Sequence, residues 1–262
     1  MNICFIGFGN MAKAIAHGLN STDLLAVHAC SPSLREGRQS DGIYTHNDNN
    51  AVIEMMDVVV LAVKPQLIKS VLPSLALSKN SVLLSIAAGV TLDQLSRLAP
   101  KHQPIIRAMP NTPISVGYGA TQLVANAYCS HENKNKVDNI FSHSGIYVWL
   151  ETEELIDAYT GLSGSGPAYI FYLLECLIEG AQKLGIDKAH AREYAEQTML
   201  GALKLSQKSQ LPLETLRQQV TSPGGATAEA LKVMEMNHLN TIIAEAMAAS
   251  CNKAKQLSES AQ

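Results

Sequence analysis

With 262 residues, the chain is long enough for one large domain or two modest ones, at about 100–200 residues per domain. A net charge of −3 lacks the basic footprint of a nucleic-acid binder. Hydrophobic residues at 47% exclude general disorder, and a charged fraction of 16%, against about a quarter in ordinary soluble chains, points to apolar surface hidden in a subunit interface.

The five cysteines (Cys4, Cys30, Cys129, Cys176, Cys251) are an odd number with no CxxC pair, which suits a reducing compartment. The eight histidines form no HExxH and do not cluster with cysteine, so no metal is expected. The N-terminal apolar run lacks a positive flank, and no stretch reaches about 18 uninterrupted apolar residues. A cytoplasmic protein with neither membrane nor nucleic-acid partner is the expectation.

Along the chain, Ile3–Ile6 reads as a strand ending at Gly7, followed by a helix over Asn10–Leu19. Further short apolar runs, Ala26–Cys30, Val58–Val63, Ser81–Ala87 and Ile105–Ala108, each stop at Gly, Pro or Ser-Pro. Helical candidates lie between them at Asn50–Met56, Gln66–Leu77 and Leu92–Leu98. Continuous apolar strands alternating with helices predict a doubly wound α/β sheet of Rossmann type, parallel and covered on both faces.

The pattern changes at about Leu150–Asp157. Five helical windows follow: Pro167–Leu184, Lys188–Gln207, Leu213–Val220, Thr227–Met236 and Asn240–Leu257. The first is apolar around most of its circumference, so it needs burial nearly all round, more than about a hundred residues can supply. The expected organisation is a dinucleotide-binding domain over residues 1–153 and an all-α substrate-binding and dimerisation domain over residues 154–262.

Gly7-Phe8-Gly9-Asn10-Met11-Ala12 is G-x-G-x-x-A between strand and helix. The first glycine permits a tight turn, the second admits a pyrophosphate, and Ala12 lets helix and strand approach. The helix N-terminus presents N–H groups to the phosphate. At the end of the second strand, an NAD site usually has Asp or Glu for the ribose 2′-hydroxyl. Here stand Ser31-Pro32-Ser33-Leu34-Arg35, with Arg38 beyond. Hydroxyls and guanidinium groups suit a 2′-phosphate, favouring NADPH over NADH; alternatively the two arginines only solvate a helix.

Ala62-Val63-Lys64-Pro65 and Ala87-Ala88-Gly89 end strands at the carboxyl edge, where open α/β sheets bind ligands. Met109-Pro110-Asn111-Thr112-Pro113 reads as a shaped loop closing that crevice, or as a plain linker.

Together with Thr160-Gly161-Leu162-Ser163-Gly164-Ser165-Gly166-Pro167-Ala168-Tyr169 and Val220-Thr221-Ser222-Pro223-Gly224-Gly225-Ala226-Thr227, these segments resemble the pyrroline-5-carboxylate reductase family, in its order and over essentially the whole chain. The resemblance implies hydride transfer from NAD(P)H to the imine carbon of 1-pyrroline-5-carboxylate, giving L-proline. It implies an interlocked homodimer, each site lying between one subunit's cofactor domain and its mate's helices, with five dimers often forming a decamer.

By the same resemblance, Ser222, Gly224, Gly225 and Ala226 lead into a helix N-terminus that holds the substrate carboxylate, and the Thr227 hydroxyl meets the ring nitrogen. Read without the family, Thr227 is a cap or first-turn residue. Its hydroxyl is not expected to supply the proton on its own; water or a solvent-linked relay is the expected source. Glu153 matches a residue beside the substrate pocket, or is one of the solvated Glu151, Glu153 and Glu154. Met109 and Asn111 border the substrate. Ser31, Pro32 and Asn49 match the adenosine end, with Asn47 and Asn50 as rivals to Asn49. Val63 and Ala88 line the cofactor, and Gln219 stands where some members have an asparagine touching it. The glycines before Pro167 are architectural.

Two rival readings exist. A β-hydroxyacid dehydrogenase requires a lysine where this chain has Ala168, and alcohol oxidation without it lacks a general acid/base. A cofactor-binding regulator has no use for a carboxylate-binding loop.

Overall fold

The computed structural model describes residues 1–19 and 26–260. They form two compact units, Met1–Ser165 with the chain end from Ala248, and Gly166–Met247.

In the first unit, β1 (Asn2–Ile6), α1 (Asn10–Leu19) and β2 (Ala26–Cys30) are followed by β3 (Gly37–Arg38), β4 (Tyr44–His46) and β5 (Val58–Leu61). The chain continues through α2 (Ile68–Val71), β6 (Val82–Ser85), α3 (Leu92–Leu98), β7 (Ile105–Met109) and β8 (Gly119–Ala125). It then forms α4 (His131–Ser142), β9 (Gly145–Trp149) and α5 (Leu155–Tyr159). The strands make one sheet in the order β3-β4-β2-β1-β5-β6-β7-β8-β9. From β4 to β7 every pairing is parallel, as the apolar runs predict. The β3–β4 and β7–β8 pairings are antiparallel, so the sheet is mixed at both ends.

Successive residues of each central strand serve opposite faces. Phe5, Val27, Val60 and Leu84 pack under Ile15 of α1 and Phe141 of α4. Their neighbours Cys4, Ile6, Val59 and Leu83 pack under Ile68, Leu72 and Leu95. Two-faced burial is why these strands read as unbroken apolar runs. The cysteines are free, yet two are neighbours: the Cys4 and Cys30 sulfurs of adjacent strands lie 3.3 Å apart in this core.

Two expected helices are shorter than their windows. Asn50–Met56 contains only a 3-10 turn, Ile53–Met55. Gln66–Leu77 is broken into 3-10, one α turn and 3-10 again, because Pro73 has no N–H to continue the ladder. α3 carries a full capping box, with Thr91 and Gln94 bonded to each other's backbone N–H.

The second unit holds α6 (Gly166–Lys183), α7 (Lys188–Lys208), α8 (Leu213–Gln219), α9 (Ala226–Met236) and the start of α10 (Leu239–Ser260). Asp187 caps α7 by accepting from the N–H groups of Ala189 and His190 at 3.0 and 3.2 Å. In this unit only Ala191 is buried; Phe171, Tyr172, Tyr194 and Leu203 are each more than half exposed. Such bare apolar faces call for a covering surface. Among the described residues no helix is long and apolar enough to cross a membrane.

The division by packing falls at Ser165, not at residue 153, and α10 crosses back from the second unit to the first. The reason is local. Residues Thr160–Gly164 form a π turn whose Ser163 accepts from Asn111 and Gln122, which ties residues 154–165 to the sheet.

Candidate active site

The carboxyl ends of β1, β2, β5, β6 and β7 lie along one edge of the sheet, because these strands are parallel and in register. Gly7, Ser31, Val63, Ala87 and Met109 are thereby brought to a common edge from distant parts of the chain.

Gly7 has φ +85°, and a Cβ there would stand 2.9 Å from the Ala62 carbonyl oxygen, so no other residue fits. Its N–H donates to the Cys30 carbonyl at 2.8 Å, joining the ends of β1 and β2. At Gly9 the requirement is different: no atom lies within 4 Å of a built Cβ, so the backbone is open to close approach. Phe8 and Met11 pack on the core, and Ala12 is buried against it. Asn10 opens α1, whose first N–H groups have no partner within the helix. This cradle fits a pyrophosphate.

At the end of β2 the Ser31 and Ser33 hydroxyls are 3.2 Å apart, and the Ser31 N–H donates to the His46 carbonyl. Pro32 is exposed in a turn, Arg35 is exposed in the irregular segment after it and Arg38 lies in β3, so neither arginine solvates a helix. Arg38 lies over the Tyr44 ring at 5.4 Å, whereas the Arg35 guanidinium has no ion-pair or ring partner among the described residues. The two arginines therefore differ: one is engaged, the other is available to an anion.

The three asparagines also separate. Asn50 bridges the chain to the Ser74 carbonyl and the Ala76 N–H, both at 2.9 Å. Asn47 is exposed. Asn49 has a buried Oδ1 with no hydrogen-bond partner, an acceptor that a ribose hydroxyl satisfies. With the open backbone at Gly9, it makes the residues present a fit for a dinucleotide.

Along the rest of the edge, Ala62 and Val63 are half-buried, Lys64 is exposed and Pro65 opens the 3-10 turn. Ala87 is buried and Ala88 exposed, so Ala88 is the accessible member of the β6 end. Met109 is half-buried at the end of β7. Asn111 is 8% exposed and works internally: its amide donates to the Ser163 carbonyl at 3.0 Å and its oxygen accepts from the Ala120 N–H at 2.9 Å. The loop 109–113 is thus a braced element, not a slack linker.

Arg107 is the residue that sequence reasoning passed over. It is 4% exposed in β7 and donates to Glu153 Oε1 at 2.6 Å. That same oxygen accepts the Leu92 N–H at 2.8 Å, holding the start of α3. Glu153 is therefore anchored rather than solvated. The available signal was a lone charge inside an apolar strand, Ile105-Ile106-Arg107-Ala108, since a buried arginine requires a paired acceptor. Three residues beyond Glu154, the Asp157 carboxyl is pushed above its ordinary range, first by burial and then by the nearby Glu153 and Glu154 charges, against Arg107 and Lys255.

In the helical unit, Ser222 to Gly225 form a turn in which the Gly225 N–H donates to the Ser222 carbonyl at 3.0 Å. Gly224 has φ +68°, a conformation that glycine adopts freely. Gly225 is the N-cap of α9 and has no side chain to satisfy the helix N–H groups. Ala226 and Thr227 are the first two helical residues, both exposed, and the Thr227 hydroxyl has no hydrogen-bond partner among the described residues. Thr227 is not the cap, so its hydroxyl is free for a ligand, and Gln219 ends α8 exposed to solvent. Among the described residues no three His, Cys, Asp or Glu side chains group as a metal site.

A parallel sheet core with this glycine turn, helix start and orphaned asparagine oxygen defines a dinucleotide-binding protein of the Rossmann class. Comparison with known proteins narrows the class. Residues 153–257 match a family model described as pyrroline-5-carboxylate reductase dimerisation, and residues 2–89 one described as NADP oxidoreductase coenzyme F420-dependent. A pyrroline-5-carboxylate reductase of Pseudomonas aeruginosa is 35% identical, covering 98% of this chain and 97% of its own. The solved structure of a pyrroline-5-carboxylate reductase from Coxiella burnetii is 39% identical with a TM-score of 0.90, covering 98% of both chains. That of Plasmodium falciparum pyrroline carboxylate reductase with NADP bound is 29% identical with a TM-score of 0.88, again over 98% of both. The chain belongs to the pyrroline-5-carboxylate reductase family.

Proposed function

We propose that the protein catalyses the last step of proline biosynthesis, reducing the C=N bond of 1-pyrroline-5-carboxylate to give L-proline. The observation that carries this reading is family membership across 98% of the chain, with the cofactor turn and the Ser222–Thr227 loop both intact. When bound, NADPH supplies the hydride, and NADH is the weaker donor.

Gly7, Phe8, Gly9, Asn10, Met11 and Ala12 hold the pyrophosphate on bare backbone N–H groups. Ser31, Pro32 and the unpaired Arg35 take the 2′-phosphate, and Asn49 takes a ribose hydroxyl. Ala62, Val63, Lys64, Pro65, Ala87 and Ala88 line the cofactor along the sheet edge. Met109 and Asn111 shape the floor beneath the substrate, and Glu153 borders it.

Ser222, Gly224, Gly225 and Ala226 bind the carboxylate at the start of α9, where uncapped N–H groups and the helix dipole favour an anion. The Thr227 hydroxyl orients the ring nitrogen and stabilises it as its basicity grows during reduction. Residues 154–262 form the substrate-binding and dimerisation region of an interlocked homodimer, in which each site draws on one subunit's cofactor unit and its mate's helices. The bare apolar faces of α6 and α7 support that assembly. We place the protein in the cytoplasm.

The test is a mixture of purified protein, 1-pyrroline-5-carboxylate and NADPH, followed by loss of the reduced nicotinamide and repeated with NADH. The expected outcome is substrate-dependent oxidation, faster with NADPH, with proline formed. Folded protein that oxidises neither cofactor rejects the assigned substrate.

A further inference from the structure

We propose that Asp157 stores the proton taken up by the substrate nitrogen, and that the cavity it lines carries that proton to the sheet edge. The proposal rests on the imine-reductase reading above.

The cavity lies wholly within the sheet unit and has a volume of about 260 Å³. Ala88 and Met109 line it at the carboxyl edge, with Arg107 from β7, Asp157 from α5, Ser165 from just before α6 and Ser250 from α10. It has room for several waters at roughly 30 Å³ each, with polar partners to hold them. The Ser165 and Ser250 hydroxyls are 2.7 Å apart, and either can donate. That is one ready rung of a relay.

Two carboxylates approach one arginine here, and they are not equivalent. Glu153 takes Arg107 at 2.6 Å and the Leu92 N–H as well. The Asp157 carboxyl has no hydrogen bond or ion pair among the described residues. The charges around it are Arg107 from β7, Glu153 and Glu154 from the turn before α5, and Lys253 and Lys255 from α10. Burial leads the balance and keeps the carboxyl protonated to higher pH than an ordinary aspartate. Glu153 is held by two donors and Asp157 by none, so Asp157 is the carboxyl left to exchange a proton with cavity water.

The balance closes without a further reagent. The hydride of NADPH forms the new C–H bond, and the electron pair of the C=N bond moves to nitrogen. There the N–H bond forms with a proton passed through cavity water from Asp157. The carboxylate left behind regains its proton from solvent. One proton is consumed for each imine reduced and each NADPH oxidised.

The test is kcat against pH, at saturating NADPH and 1-pyrroline-5-carboxylate, for the native enzyme, Asp157→Asn and Lys255→Gln. Native kcat is expected to fall on the alkaline side as Asp157 ionises. Asp157→Asn is expected to lose on the order of a hundredfold in kcat and to lose that alkaline limb, with KM changed by less than about twofold. Removing the Lys255 cation makes ionisation of Asp157 harder, so the Lys255→Gln limb is expected to move to higher pH. Asp157→Asn with native kcat and a native limb overturns the proposal. If that variant does not fold, an unmoved limb in Lys255→Gln overturns it. A native enzyme inactive with this substrate defeats the functional reading instead, before either variant is needed.

Discussion

The sheet unit and the helical unit solve the same problem in opposite ways. Phe141 of α4 is 1% exposed, locked over the central strands, while Phe171 of α6 is 60% exposed within its own chain. The sheet unit hides its apolar side chains by itself, through strands covered on both faces. The helical unit has an equally apolar sequence and buries almost none of it. Its stability must come from surfaces outside the single chain, as the dimerisation match over residues 153–257 also indicates.

The largest expected effect tests that contrast directly. Phe141→Ala should cost about 3–5 kcal/mol in urea unfolding at every protein concentration. Phe171→Ala should instead act through assembly, so its loss of stability should grow as the protein is diluted. Equal, concentration-independent losses would erase the distinction between the units.

Next in size is Thr227→Ala, for which kcat/KM should fall roughly ten- to a thousandfold, the range for one transition-state hydrogen bond. The exposed position of Thr227 means that circular dichroism and thermal unfolding should barely change. Unaltered kinetics would remove the hydroxyl from the mechanism.

Arg35→Ala should weaken NADPH about tenfold and leave NADH nearly untouched, because a charge-assisted phosphate contact is lost on one cofactor only. Arg38→Ala is the control, since Arg38 is stacked on Tyr44. The smallest effect should come from Asn49→Ala, about fivefold on both cofactors alike, the scale of a single neutral hydrogen bond. Titration calorimetry with each dinucleotide distinguishes the two patterns.

How legible these features are depends on whether local or distant contacts cause them. Ala26–Cys30 and Leu92–Leu98 match the predicted bounds because each carries its own boundary signal, a Ser-Pro stop in one case and a Thr91 capping-box start in the other. Gly7 is equally local: its turn follows from its place between strand and helix. β8 is not, since Thr121 and Gln122 lie buried in it and make its sequence too polar to read as a core strand. β4 is only three residues long.

The site shows the same division. Nothing in His46-Asn47-Asp48-Asn49-Asn50 separates an asparagine that braces Ser74 and Ala76 from one with an orphaned oxygen. Nor does the spacing of Arg107 and Glu153, 46 residues apart, disclose that they form a buried pair. Such pairings are set by how strands and helix starts meet in space, which residue pattern alone does not encode.

The central claim is hydride transfer to the imine carbon, and the most direct test is isotopic. The protein would be incubated with 1-pyrroline-5-carboxylate and NADPH carrying deuterium at the transferring position, and the proline weighed by mass spectrometry. The account predicts proline heavier by one deuterium, formed in step with oxidised cofactor. Cofactor oxidation that yields no proline, or proline without the label, would contradict it.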